Sequence, residues 1–536
     1  MKVKKSYIMI IAAMILSVFA VLYFIKSTKN NHKEDANVSI SQINLENKEY
    51  MESIIAQSRN MNAIATDLEN PERNIIHATN YEMKLSLDID KKRLSGNSKI
   101  QIKNNTNEET DHVVLRNYSA TALTGKNKGD SFLSNFKDAN GNALSSLVED
   151  DKSVIRVDLL KPLKPNEEIA ITFDFQTDIP KVKNRFGYTE YDDNVIFQLS
   201  FCFPSLSIYE NGEWNKNPFI LSGAEPNYTT VSNYSVSIKV PIDYTVIATG
   251  VETKNESNEY TVTGTHLREF AMVIGNNLIK SSVSYNGIKI SNYYYDYGGN
   301  EKYNNYSLKT ATESFELYSN LIGDYPYEEL DIISVFMEGA MEYSGLLMIG
   351  YPDTAPEELK LLDEGNHYEH IKSHISHEVA HQWFYSVIGN DPYNEPWLDE
   401  SFAEFLEAFV FPISGASLLE EMESDRNTGL PLQTHTAFYK MKDAMLEQLP
   451  INKCINLPYD SYNKDEYSHY VYQSGAFFLY ELEQSMGEAK FFSMLQNYYK
   501  KYRFSEVTTK DFFEFVQLYD SSEKTEKIME RYLLLQ

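Results

Sequence analysis

Two histidines four positions apart restrict this chain more than any other feature. His377-Glu378-Val379-Ala380-His381 puts both imidazoles on one face of a helix, where they can reach a common point. Trp397-Leu398-Asp399-Glu400 follows, with residues 382–399 between His381 and Glu400. A fold that joins all three must set two helices side by side. Two imidazoles and a carboxylate are the protein ligands of a catalytic zinc ion, which keeps its fourth position open for water. Water held there yields hydroxide near neutral pH. Glu378 adjoins a ligand but lies off the ligand face, placed to take the water proton and pass it to a leaving amine. The five-residue match alone is moderately specific; with a Trp-Leu-x-Glu at that distance it is strong. The expectation is one Zn2+ per chain, held by His377, His381 and Glu400, with Glu378 as base.

Glu404 and Glu407 share a helical face with Glu400. They are either a solvated acidic stripe or a second layer in which one carboxylate receives a ring N–H from a zinc histidine, and Glu407 is the preferred candidate. His370 and His374 also stack on the ligand helix. Neither has an adjacent base, so both are taken as surface or core histidines.

Around this point the chain divides by its hydropathy pattern. Residues 1–26 hold Lys2, Lys4 and Lys5 and then a charge-free run, 7–25, about the ~20 residues that span a bilayer. The run ends Val21-Leu22-Tyr23-Phe24-Ile25, a poor cleavage site, so an uncleaved signal-anchor is preferred over secretion. This predicts a single-pass protein of the cell membrane with its large domain outside. Residues 27–74 are a polar tether with a helical piece at 45–58. From Tyr81 the period is two, with strands at 81–90, 98–103, 154–160, 168–175, 234–240, 244–248 and 260–263, so 75–285 is expected to be an all-β saddle or sandwich. From about 300 the period is helical: 303–321, then a short buried strand at 330–336, then helices at 367–387, 402–410, 472–486, 489–502 and 509–518. Residues 286–536 are therefore the α/β catalytic domain, and the whole is α+β and multidomain.

Composition excludes more than it identifies. Acidic residues number 77 against 49 basic ones, a net charge of -28, which repels phosphates and argues against a nucleic-acid partner. The two cysteines, Cys202 and Cys454, are too far apart to form a thiolate zinc site and are expected to be free. Oligomeric state leaves no signature in the sequence.

These motifs together resemble the aminopeptidase N family of gluzincin metallopeptidases, which includes leukotriene hydrolase. The resemblance rests on His377-Glu-Val-Ala-His381-Gln-Trp-Phe, Glu395-Pro-Trp-Leu-Asp-Glu400-Ser-Phe-Ala, Gly339-Ala-Met-Glu-Tyr343 and Tyr472-Gln-Ser-Gly475-Ala476, and it spans about 75–530. It implies a thermolysin-like catalytic domain and peptide substrates with a free N-terminus. It implies that Glu342 binds the substrate amine and that Gly339, Ala340 and Met341 line the peptide. It also implies that Tyr472 donates to the oxyanion, with Tyr467 and Tyr470 as competitors. Gln198 lies where the family's β domain sends a residue toward the amine, although no motif fixes it. The chain departs from the family pattern at Tyr343, where Asn is usual, and at Tyr385-Ser386, where Gly-Asn is usual. The chain also ends soon after the catalytic domain, without the family's C-terminal helical domain. The alternatives are a non-catalytic peptide-binding scaffold on the same fold, or a zinc endopeptidase.

Overall fold

The computed structural model describes residues 40–61, 73–121, 130–219, 228–351, 368–410 and 453–535. In the first half, alternation makes sheets with one dry face. Along Ile75–Asp88, Met83, Leu85 and Leu87 are buried while Glu82, Lys84 and Ser86 are exposed. This strand is central to a nine-stranded sheet, antiparallel to Arg93–Asn104 and parallel to Ser232–Lys239. Two four-stranded sheets complete the β half, one of them placing Asn194–Leu199 against Met272–Asn276. The strands expected from alternation all fall on observed ones.

The second half is built on a five-stranded sheet in the order Ile279–Tyr285, Ile288–Tyr294, Glu329–Val335, Leu346–Gly350, Ala340–Met341. It reaches back across the boundary expected at 285. Asn286 and Gly287, with φ of 49° and 87°, close a tight hairpin between the first two strands, so the chain cannot divide there. At the other edge, Ala340–Met341 pairs, among the described residues, only on its Leu346–Gly350 side.

Four helices frame this sheet and the site: α1 (Ile40–Asn60), α2 (Glu301–Leu321), α3 (Tyr368–Ala380) and α4 (Trp397–Val410). α3 is shorter than the expected 367–387. After Trp383 the chain turns back: Ile388 N–H bonds the Trp383 carbonyl, and Tyr385 takes a φ of 126°. That return carries Ile388–Gly389 into a parallel pairing with Ser505–Glu506. The expected helix at 472–486 is in fact two pieces, a π-helix over Ser468–Ser474 and an α-helix over Gly475–Met486. The core of this half holds Trp383 and Trp397, and each buried indole N–H is satisfied, by the Gly323 carbonyl at 2.8 Å and the Thr509 hydroxyl at 2.9 Å.

α1 is not merely a spacer. Met51 and Ile54 are buried in the core of the second half, and Gln496 Nε2 donates to Ser58 Oγ at 3.0 Å. The charge-free run at 7–25 lies outside the described residues, and no helix among the described residues is long and apolar enough to cross a membrane. Cys202 and Cys454 are free thiols, as expected.

Candidate active site

α3 and α4 pack side by side and converge on one point. His377, His381 and Glu400 each offer a ligand atom within 4.8 Å of the others. Glu400 Oε2 lies 3.1 Å from His377 Nε2 and 3.3 Å from His381 Nε2. His381 Nδ1 sits 3.0 Å from the Phe384 carbonyl; that oxygen can only accept, so Nδ1 carries the proton and Nε2 is left to bind a cation. The donor set, the burial and the fixed tautomer fit a zinc ion. Burial opposes charge on His381, but the Glu400 carboxylate overcomes it and pushes the imidazole up to about 9. Both imidazoles attract protons strongly, so a metal entering this site must displace them.

Two other acidic clusters lie among the described residues. His377, Glu404 and Glu407 extend the first one outward: His377 Nδ1 is 3.4 Å from Glu407 Oε2 and 3.6 Å from Glu404 Oε2. Glu407, the candidate chosen from sequence, is the nearer, yet both carboxylates face the same ring nitrogen. Burial, then the neighbouring Glu407, pushes the Glu404 carboxyl up to about 8. The cluster of Glu252, Glu329 and Asp331 offers no nitrogen ligand, and Lys280 and Lys289 sit in the same cavity, so it is a charge network rather than a rival metal centre. His374 joins none of these clusters, and the His370 side chain lies outside the described residues.

Glu378 is 7 % exposed, and its Oε2 has no hydrogen-bond partner among the described residues. Burial, then the charge on Glu342, pushes its carboxyl up to about 8. A carboxylate so raised takes a proton near neutral pH instead of leaving it in water. Glu342 is also 7 % exposed, and burial raises it, with His381 and Arg185 near enough to oppose the shift. The Gly-x-Met-Glu segment thus turns its carboxylate toward the ligand cluster. Gly339 takes a φ of 76°, and open space surrounds the position of a Cβ there. Its carbonyl accepts from Gly350 N–H at 2.9 Å, which fixes the turn into the edge strand. Ala340 and Met341 are half-buried on that edge.

Tyr472 is separated from its competitors by reach. Its hydroxyl donates to Glu400 Oε1 at 2.5 Å, and its ring stacks on His377 with centroids 5.8 Å apart. It projects from the π-helix, a wider turn often found at functional sites. The glycine of Tyr-x-x-Gly has a steric reason. A Cβ on Gly475 would lie 1.8 Å from Ser401 Oγ, and Ser401 donates to the Val471 carbonyl at 2.6 Å. Tyr472 is therefore locked against the residue next to Glu400.

At Tyr343 the departure from the usual Asn is absorbed into the core. Its side chain is 1 % exposed, while its carbonyl accepts from Gln382 Nε2 at 3.2 Å. Gln198 is buried, with Nε2 donating to the Asn184 and Phe336 carbonyls at 2.8 and 3.3 Å and Oε1 unpartnered among the described residues. It reaches the segment that leads into Gly339. Sequence reasoning missed Gln382, although its place directly after His381 was visible. It also missed Arg185, whose NH1 lies 3.4 Å from Met341 Sδ and which no motif marks.

Residues 306–532 match the Peptidase family M1 domain. Aminopeptidase M1-B of Oryza sativa subsp. japonica is 27 % identical over 216 residues, 40 % of this chain and 23 % of that one. Aminopeptidase 2 of Candida albicans is 22 % identical over 426 residues, 76 % of this chain and 42 % of that one. The chain thus spans less than half the length of these curated relatives. Among solved structures, the M1 zinc metallopeptidase from Deinococcus radiodurans superposes with a TM-score of 0.59 at 17 % identity, covering 89 % of this chain and 98 % of that one.

Proposed function

We propose that this chain, whose residues 306–532 match the Peptidase family M1 domain, is a zinc-dependent aminopeptidase that hydrolyses the first peptide bond of peptides with a free N-terminus. The observation that carries this reading is buried Glu342 beside the ligand cluster, close enough for its charge to act on Glu378 and for His381 to act on it. A buried carboxylate gains most from a cationic partner, and a peptide's α-ammonium is one. Among the structural neighbours, a mutant form of the Deinococcus radiodurans enzyme is described as bound to a Tyr-Ser-Ala substrate, with a TM-score of 0.57 to this chain.

His377, His381 and Glu400 would hold the zinc ion. Bound there, zinc supplies Lewis acidity that acidifies water and polarises a carbonyl. Glu378 accepts the proton released by the attacking water on its raised carboxylate and then delivers it to the departing amine. Tyr472 turns its hydroxyl from Glu400 toward the oxygen that gains charge at the scissile carbonyl. The edge of Ala340–Met341 that is unpaired among the described residues offers its backbone to an extended peptide, as an added strand would take it. Glu342 fixes the register by holding the N-terminus, which makes the cut exopeptidic. Glu407, with Glu404 beside it, orients His377 through Nδ1. We place this site outside a membrane on the strength of the charge-free run at 7–25 and the large domain after it.

The test is hydrolysis of aminoacyl fluorogenic amides and of their N-acetylated forms, each with and without chelator. Chelator-sensitive cleavage confined to free amines is expected. Equal cleavage of acetylated substrates would make the protein an endopeptidase, and no turnover by zinc-loaded protein would make it a scaffold.

A further inference from the structure

Glu269 belongs to the β half, two residues past strand Glu259–Leu267, and is 5 % exposed. No motif includes it. Its carboxylate accepts from two donors: the Ser344 backbone N–H at 2.8 Å and the Tyr385 hydroxyl at 2.8 Å. Ser344 follows Glu342 by two positions. Tyr385 stands in the return loop after His381, in its unusual backbone conformation, and packs edge-on to the His381 ring with centroids 6.4 Å apart. A single carboxylate thus ties the amine-reading segment to the end of the ligand helix.

The neighbouring residues brace the same two points. Arg268 N–H donates to Ser344 Oγ at 3.1 Å, and its Nε donates to the Tyr385 carbonyl at 2.5 Å. Its NH1 pairs with Glu506 at 2.8 Å, so the cation is matched mainly by that residue and leaves Glu269 to the segment. Gly389 makes room for this guanidinium, since a Cβ there would lie 2.2 Å from its Cζ. On the far side, Gln382 accepts from Gly345 N–H at 2.8 Å and donates to the Tyr343 carbonyl. Residues 342–345 are therefore held from both sides, by the residue after a metal ligand and by the β half.

A buried carboxylate is costly to retain, and two apolar residues would fill the space more cheaply. What Glu269 adds is directional: two fixed hydrogen bonds that set how far the Glu342 segment stands from His381. We infer that Glu269 is a positioning residue for recognition of the substrate amine, acting through Ser344 and Tyr385. This rests on the aminopeptidase reading given above.

The experiment uses the full chain loaded with zinc, as wild type and as Glu269→Ala, Glu269→Gln and Tyr385→Phe. Inhibition constants are measured for leucinamide and for N-acetyl-leucinamide, together with zinc content. Misplacing a charged contact by a fraction of an ångström to an ångström weakens it steeply, so Glu269→Ala should weaken leucinamide about 10-fold or more. N-acetyl-leucinamide and zinc stoichiometry should not change. Glu269→Gln and Tyr385→Phe each keep part of the clamp and should fall between; they remain informative if the alanine variant fails to fold. In a Glu342→Gln background, each of the three substitutions should have little further effect, because the group being positioned is gone. Equal weakening of both ligands, or additive effects in that background, would overturn the inference. Failure of the underlying reading looks different: wild type itself would bind leucinamide no better than its acetylated form.

Discussion

The metal face and the amine face proposed for this site are built in different ways. The metal face is local. Three of its four working residues fall within His377–His381, and the fourth, Glu400, is the fourth residue of the next helix, so two helices in contact complete it. The amine face is assembled across the molecule. Glu342 directly follows the edge strand Ala340–Met341, Gln382 holds the chain after it, Glu269 and Arg268 reach Ser344 from the β half, and Gln198 reaches the Phe336 carbonyl ahead of the strand. A helix brings chemistry together through its period, whereas a turn at a sheet edge needs outside hydrogen bonds to hold its shape. Damage to the metal face should therefore stop chemistry outright, while damage to the amine face should blur recognition and leave the chemistry in place.

The largest effect tests the metal face. Glu378→Gln keeps the shape and the ligands but cannot take a proton, so kcat should fall about 10³-fold or more with zinc content unchanged. Retained activity would break the assignment of the base. Next, Tyr472→Phe should lower kcat about 10²-fold with little change in KM, measured beside Tyr470→Phe, which should be near wild type. A reversal of the two would place the oxyanion donor elsewhere on the π-helix. Third, Gly475→Ala forces a methyl into Ser401 and should cost about 1–3 kcal/mol by urea denaturation, with a loss of kcat as Tyr472 shifts.

The smallest effect lies on the amine side. Burial pushes the Glu269 carboxyl from 4.5 up to about 7 in the folded chain. Between those values the native state holds a proton that the unfolded state has released. Its contribution to stability is present below about pH 4.5 and is lost as pH rises through about 7. The stability of wild type minus that of Glu269→Gln should therefore decline across this window, as unfolding free energies at several pH values will show. A flat difference would mean that Glu269 is already charged, held so by Ser344 and Tyr385 more firmly than burial opposes.

This division also explains what the sequence discloses. His377, His381 and Glu400 are legible because ligand spacing follows from helix geometry, and the strands of the β half because alternation follows from a one-sided core. Glu342 and Tyr472 needed the resemblance to a known family, since one acid in a loop and one of 39 tyrosines carry no period. The end of α3 was overestimated because His-Gln-Trp-Phe continues the helical pattern, while the turn at Tyr385 is imposed by pairing with residues more than 100 positions later. Asn286-Gly287 was a local hairpin signal that the expected boundary cut through. Glu269 and Arg268 left no trace, because their partners at 344, 385 and 506 are distant in sequence and their residue types are ordinary.

The central claim is that Glu342, set beside the metal ligands by the fold, turns a water-activating centre into a reader of free N-termini. It is tested most directly by the ratio of kcat/KM for a leucyl fluorogenic amide to that for its N-acetyl form, in wild type and in Glu342→Gln. The account predicts a ratio of about 10² or more in wild type that collapses toward unity in the variant, chiefly through loss on the free-amine substrate. A ratio unchanged by Glu342→Gln would contradict it.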